Sequence, residues 1–267
     1  MQAVSQKSWR ASLGLVIAGL FMAGCTAAAQ ISPEVRLVQV ADRMEKAQTA
    51  HFTAEGKVSG QPVPAEGAAP GGGETQQPLM ASNFSAEGNI HFPNRQQVKV
   101  TIGDTNSSLT TEAVRVGNEV WVYDPMQRNW AKGTVNITDQ IQQLDPLKTV
   151  GLLRVASQSL KSLGEENING VKTTRLQAVL DPTRARELII RGNPNLGANL
   201  EKIEGTIDLW VTDDNLLNQI RPDLAFTLID PAQANSPRTR LVTDFILKFS
   251  NYDAPVTIEA PQVANSN

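Results

Sequence analysis

Phe84-Ser85-Ala86-Glu87-Gly88-Asn89-Ile90-His91-Phe92, followed a few residues on by Gln97-Val98-Lys99-Val100-Thr101-Ile102, decides the fold class of this chain. Phe84, Ala86, Gly88, Ile90 and Phe92 alternate with Ser85, Glu87, Asn89 and His91, and Val98, Val100 and Ile102 alternate with Gln97, Lys99 and Thr101. Successive side chains of a strand point to opposite faces, so a period of two marks a strand with one face in a core and one in water. Both runs read as half-buried antiparallel strands.

The same period extends in both directions. Upstream, Phe52, Ala54, Gly56 and Val58 alternate with Thr53, Glu55, Lys57 and Ser59. Downstream, Val114-Arg115-Val116, Gly117-Asn118 and Val120 to Tyr123 read as a hairpin stopped by Asp124-Pro125. Leu176, Ala178 and Leu180 alternate, as do Ile203, Gly205, Ile207, Leu209 and Val211, then Leu224, Phe226 and Leu228. Pro222 signals a bulge or strand break. Arg238 to Tyr252 is the longest strand candidate, with Leu241, Thr243, Phe245, Leu247 and Phe249 on one face, and Val256 and Ile258 close the pattern.

Helical spacing is confined to three places. Ser32-Pro33-Glu34 is a helix start, and Leu37, Val40, Ala41, Met44 and Ala47 give an amphipathic helix ending near Thr49. Asp145-Pro146 opens a second helix with Leu147, Val150, Leu153, Leu160 and Leu163 as its stripe, before a turn at Asn169-Gly170. Asp181-Pro182 starts a shorter one through Arg191, with Ala185, Leu188 and Ile189 inward. Strands before, between and after helices, without β-α-β alternation, predict an α+β fold: one large curved antiparallel sheet covered by a few helices. Between the first strands, Gly60 to Ser82 carries four prolines and Gly71-Gly72-Gly73, the composition of a flexible surface loop.

Composition narrows the function classes. The 267 residues include one cysteine, so no internal disulfide exists, and two histidines, too few for a zinc cluster of the common Cys/His types. A formal charge of −3 and a pI near 5.5 disfavour nucleic acid as partner. No G-x-S-x-G, H-E-x-x-H or P-loop pattern is present, and the residues call for no enzyme activity, cofactor or metal. His51 and His91 read as solvated strand residues, Glu165-Glu166 as a solvated turn, and Asp213-Asp214 as a hairpin tip.

The single cysteine ends an address. Lys7 and Arg10 precede an apolar run from Ala11 to Phe21, 11 residues long, and Met22-Ala23-Gly24-Cys25 follows. The run is too short to span a bilayer and suits an export signal. Met22 to Cys25 resembles the lipobox of bacterial lipoproteins, which implies acylation of Cys25 and removal of residues 1–24. Loss of Lys7 and Arg10 takes the formal charge from −3 to −5. Residues 25–31 would be the tether, 32–261 a single domain and 262–267 a frayed tail.

The ending Phe249-Ser250-Asn251-Tyr252-Asp253-Ala254-Pro255-Val256-Thr257-Ile258-Glu259-Ala260-Pro261 resembles the closing motif of the LppX/LprA/LprF/LprG lipoprotein family. Ile207-Asp208-Leu209-Trp210-Val211-Thr212-Asp213-Asp214-Asn215-Leu216-Leu217 is similar to that family's preceding strand and turn, and Glu166 to Val171 to another of its turns. The likeness implies a half-barrel sheet closed by helices around a hydrophobic cavity, related to the LolA and LolB carriers. It also implies binding of acylated lipids or glycolipids and their movement within the cell envelope. The protein would be anchored through Cys25 on the extracytoplasmic face of the cell membrane, or of an outer membrane where two exist, with any transporter partner unnamed. Candidate cavity residues are the inward strand positions Phe84, Ala86, Ile90, Phe92, Val98, Val100, Ile102, Val120, Val122, Leu176, Ala178, Ile207, Leu209, Phe226, Phe245, Leu247 and Phe249. The alternative is an anchored interaction or sensor module using the same fold with a packed core.

Overall fold

The computed structural model describes residues 31–63, 80–103, 107–133, 146–192, 199–229 and 238–263. The chain divides into two units, Met1–Ile31 and Ser32–Asn267. In the second unit, eleven strands form one open antiparallel sheet in the order β6-β5-β4-β3-β2-β1-β11-β10-β9-β8-β7. These are β1 (Thr49–Val63), β2 (Met80–His91), β3 (Arg95–Gly103), β4 (Ser108–Val116), β5 (Glu119–Asp124), β6 (Asn129–Lys132), β7 (Ser157–Ile168), β8 (Val171–Leu180), β9 (Leu200–Thr212), β10 (Leu217–Leu228) and β11 (Arg238–Ser250). The three described helices are α1 (Pro33–Lys46), α2 (Pro146–Ala156) and α3 (Pro182–Gly192). The curved sheet with few helices is the predicted α+β architecture.

The topology is two meanders sharing a seam. Strands β1 to β6 are sequential neighbours, as are β7 to β11, and β1 pairs with β11 through Phe52↔Phe249, Ala54↔Leu247 and Gly56↔Phe245. Because antiparallel register aligns like faces, each inward residue meets inward residues on both sides. One such row is Phe52, Gly88, Val98, Ala113 and Val122. Gly88 is required by close approach: a Cβ there would meet the Gln97 carbonyl oxygen at 2.1 Å and the Phe52 ring at 3.0 Å.

The helices lie at the expected places and their caps explain why. Ser32 Oγ accepts the Val35 N–H at 3.3 Å, Pro33 occupies the first turn, and Leu37, Val40, Ala41 and Met44 are buried. α1 stops at Lys46, and Thr49 already opens β1. Asp181 Oδ1 accepts the Thr183 and Arg184 N–H groups at 3.0 Å, capping α3.

Four expectations are corrected. The helix predicted through Leu163 ends at Ala156; Leu160 and Leu163 belong to β7, which pairs with β8 through Leu160↔Ala178. Ser157 Oγ donates to the Leu153 carbonyl at 2.6 Å where the chain leaves the helix, and Asp181 N–H donates to the Ala156 carbonyl at 2.7 Å. The loop assigned to Gly60–Ser82 is narrower, because β1 runs to Val63 and β2 begins at Met80. The ladder to β11 supplies Gly60↔Leu241 through Val63↔Arg238, so backbone pairing overrides the loop-like composition. Residues 64–79 lie outside the described residues. Pro222 neither bulges nor breaks β10: it stays opposite Ile207, and the ladder to β11 omits Arg221 and Pro222 between Ile220↔Leu247 and Asp223↔Asp244. Val256 and Ile258 lie in irregular chain after β11, although Ile258 is buried.

Candidate functional site

On β2 to β4 and β11 the inner face is packed at one end of the strands and open at the other, whereas on β8 and β9 it is buried through to that end, with Ala178, Ile203 and Ile207 at most 2% exposed. On β2, Ile90 and Ala86 are buried while Phe84 is half-buried. On β3, Val98 is buried, Val100 half-buried and Ile102 46% exposed. On β4, Ala113 is buried, Thr111 half-buried and Leu109 56% exposed. On β11, Phe249 and Leu247 are buried while Phe245, Thr243 and Leu241 are half-buried. Register places Phe84 opposite Ile102, Ile102 opposite Leu109, and Gly56 opposite both Phe84 and Phe245, so the open ends coincide in one apolar patch. Phe84 and Phe245 meet edge to face with centroids 5.6 Å apart.

The seventeen candidate residues divide by depth, and four of them depart from this gradient: Phe92 and Val122 are half-buried at the packed end, and Ala178 and Ile207 are buried toward the other. Ala86, Ile90, Val98, Val120, Leu176, Ala178, Ile207, Leu209, Leu247 and Phe249 are buried; Phe84, Phe92, Val100, Val122, Phe226 and Phe245 are half-buried. All of these belong to, or pack against, one apolar cluster, and Ile102 lies outside it. The helical share of that cluster, Met44, Val150 and Leu153 among it, comes from the apolar stripes of the first two helices and stands outside the seventeen strand candidates. Strand reasoning misses Gln96 and Arg115, two polar residues of the inner face. Their position in the alternation is the available signal, but a search for apolar residues passes over them.

Two open grooves, of about 740 and 450 Å³, lie mainly on the opposite, polar face. Their shared floor includes Glu55, Ser85, Thr101 and Ile246. Ion pairs cross this face, among them Glu55–Lys248 at 3.1 Å and Arg221–Asp244 at 3.2 Å. The larger groove reaches Phe84 and Phe245, so it borders the apolar patch at the open end of the inner wall.

The polar face also carries a network centred on Arg175. Its guanidinium donates to Asp208 Oδ2 at 2.6 Å and Glu166 Oε1 at 3.2 Å and lies 5.0 Å from the Trp210 ring centre. Trp210 Nε1 donates to Glu166 Oε2 at 2.7 Å, and Gln177 Nε2 to Asp208 Oδ1 at 3.1 Å. The Trp210 hydrogen bond, then Arg175, hold the Glu166 carboxyl below its ordinary pKa. Glu166 thus sits on β7 in this network, not in a solvated turn; its neighbour Glu165 pairs with Lys172 at 2.8 Å. Arg175 thus bridges two carboxylates, Glu166 and Asp208, on the polar face.

The closing motif is a clasp. Asp253 accepts the Gln48 N–H at 2.8 Å and the Arg43 guanidinium at 3.1 Å, and its own N–H donates to the Thr49 carbonyl at 3.1 Å. Thr49 Oγ1 donates to the Ala254 carbonyl at 2.6 Å. Tyr252 Oη donates to the Leu217 carbonyl at 2.6 Å, and burial pushes its phenol well above the usual pKa. The motif fixes the α1–β1 junction to the end of β11. Asn251 and Asp253 adopt positive φ of 50° and 60° to do so.

His51 Nδ1 lies 3.1 Å from Asn89 Oδ1 and Nε2 lies 3.7 Å from Glu87 Oε1, both contacts on the polar face. No group of three or more metal-ligating side chains occurs among the described residues. No described helix is long and apolar enough to cross a membrane. Cys25 and residues 1–24, the expected export signal, lie outside the described residues, as does the tail from residue 264.

No protein-family model and no curated protein matches the chain. Solved structures do. LprF from Mycobacterium bovis superposes with a TM-score of 0.50 at 15% identity, covering 86% of this chain and 99% of that one. Lipoprotein LppX from Mycobacterium tuberculosis superposes with a TM-score of 0.46 at 14% identity, covering 85% and 97%. A LolA superfamily protein from Nitrosomonas europaea is more distant, with a TM-score of 0.26 at 10% identity over 83% and 94%. At these identities the likeness is one of fold: the chain has the open, curved half-barrel of LprF.

Proposed function

We propose that this chain is an envelope lipoprotein, tethered through acylated Cys25, that binds the tails of acylated lipids or glycolipids against its inner wall and carries them within the cell envelope. The observation that carries the proposal is the exposure gradient. Large apolar side chains at Phe84, Ile102, Leu109, Phe226 and Phe245 stay half-buried or exposed at one end of β2, β3, β4, β10 and β11. Each acyl CH₂ removed from water stabilises the bound state by about 0.8 kcal/mol. A wall already half-open can exchange such a ligand without unfolding. Thr26 to Ile31 reach at most about 20 Å when extended, which would keep the wall close to the membrane.

The test is lipid mass spectrometry on the chain begun after Cys25, purified from a bacterial envelope. A tail-bearing ligand near one per protein is expected. A lipid-free protein that also fails to take up a fluorescent acyl probe overturns the carrier reading. That outcome favours the interaction or sensor module, for which the polar-face groove across Glu55, Lys57, Arg221 and Asp244 is the supporting observation.

A further inference from the structure

Gln96 and Arg115 face each other across β3 and β4 on the inner wall. Their row continues through Ile90 on β2 and Val120 on β5, both buried and apolar. Gln96 is 1% exposed and Arg115 9%. Neither Nε2 nor Oε1 of Gln96 has a hydrogen-bond partner, and Arg115 Nε has none. Among the described residues no carboxylate pairs with Arg115, whereas Arg175, half-buried on the other face, has two. Buried polar groups are nearly always satisfied, and a buried cation is costly unless paired. Gln96 and the Nε of Arg115, unsatisfied side by side on a mostly apolar wall, mark a place suited to a partner.

From this we infer that Gln96 and Arg115 form an anion-binding anchor for the head of an amphiphile, a carboxylate or phosphate, bound head inward with its acyl chain running toward the open end. The inference rests on the carrier reading above. On paired positions of neighbouring strands, a guanidinium and an amide N–H supply donors suited to two oxygens of one anionic group. From Gln96 to Ile102 the strand rises by about 20 Å, so a long acyl chain anchored at this row lies along Val98 and Val100 and ends at the exposed Ile102 and Leu109. The row is covered in this structure, so occupancy requires the packing above Val98 to part. The deep end then selects the head, and the open end accepts tails of different length.

The experiment uses the chain begun after Cys25, delipidated, with palmitate, 1-hexadecanol and acetate as probes. The wild type should bind palmitate at least about tenfold more tightly than hexadecanol, the advantage of a charge-assisted pair. Arg115→Met and Gln96→Leu should erase that preference while leaving hexadecanol binding unchanged. Gln96→Leu should also raise the melting temperature of the delipidated protein, since it removes an unsatisfied buried amide. Acetate binding lost in Arg115→Met, with palmitate no better than hexadecanol, would still support the anion site while assigning it to free anions. If the folded variants keep the wild-type palmitate-to-hexadecanol ratio and acetate response, the anchor is wrong and the carrier reading stands. If the wild type binds neither long-chain probe nor acetate, both fall. Should Arg115→Met not fold, Gln96→Leu alone decides between these outcomes.

Discussion

The two ends of the inner wall are built from the same strands and differ in what covers them. At the closed end, Phe52, Ile90, Phe249 and Leu209 lie beneath packed side chains, and the clasp from Tyr252 and Asp253 fixes the α1–β1 junction beside them. At the open end, Phe84, Ile102, Leu109 and Phe245 remain partly in water. On β2 to β4 and β11 the inner face therefore divides into a part that holds the fold together and a part whose apolar surface is available. The difference lies in coverage, not residue type, since phenylalanine occupies both ends.

This division can be broken or sharpened by substitution. Phe52→Ala should destabilise the protein by about 3–5 kcal/mol in urea unfolding, whereas Phe84→Ala should cost about 1–2 kcal/mol. Equal losses would erase the distinction between the ends. Gly88→Ala, which drives a Cβ against the Gln97 carbonyl and the Phe52 ring, should cost about 2 kcal/mol and lower the urea midpoint without changing its slope. Tyr252→Phe should cost about 1 kcal/mol through the lost hydrogen bond to Leu217. Leu109→Asp should leave the melting temperature within error, as an exposed substitution does, while reducing acyl-probe uptake. A protein that loses stability instead would show Leu109 to be core.

The smallest expected effect is pH-dependent and belongs to the closed end. The Gln48 N–H, then Arg43, hold the Asp253 carboxyl below its ordinary value of 3.8. A folded-state pKa below the unfolded one stabilises the fold fully above the ordinary value, and the benefit is lost as pH falls through the folded value. Stability should decline as the solution is acidified below about pH 4. Asp253→Asn should flatten that decline slightly, because the side chain is partly exposed and screened. An unchanged acid limb in Asp253→Asn would remove Asp253 from the clasp's energetics.

Much of the fold is legible in the sequence because alternation survives wherever one face is buried. Phe84 to Ile102, Ile203 to Val211 and Leu241 to Phe249 all alternate in the phase the structure shows, which fixes the inner face. β7 escapes such reasoning because Leu160 and Leu163 are spaced as in a helix, and an edge strand need not alternate. The Asn169-Gly170 turn is legible, since both residues adopt the positive φ, 50° and 86°, that such a turn demands. The candidate wall is legible in composition but not in depth. Periodicity places Ala178 and Phe84 on one face and cannot tell that only the second is partly uncovered. Gln96 stands in phase with Val98 and Val100, and its polarity hides it from a search for apolar residues. The role of Tyr252 and Asp253 depends on contacts with Leu217, Arg43 and Gln48, far away in sequence, and no local pattern announces them.

The most direct test of the account is photocrosslinking of the chain begun after Cys25 with a palmitate analogue carrying a diazirine in its tail, followed by peptide mapping. The account predicts labels at the open end of the inner wall, on peptides containing Phe84, Val100, Ile102 or Leu109, competed away by unlabelled palmitate. Competed labels confined to the polar-face groove at Glu55, Lys57 and Asp244 would contradict it.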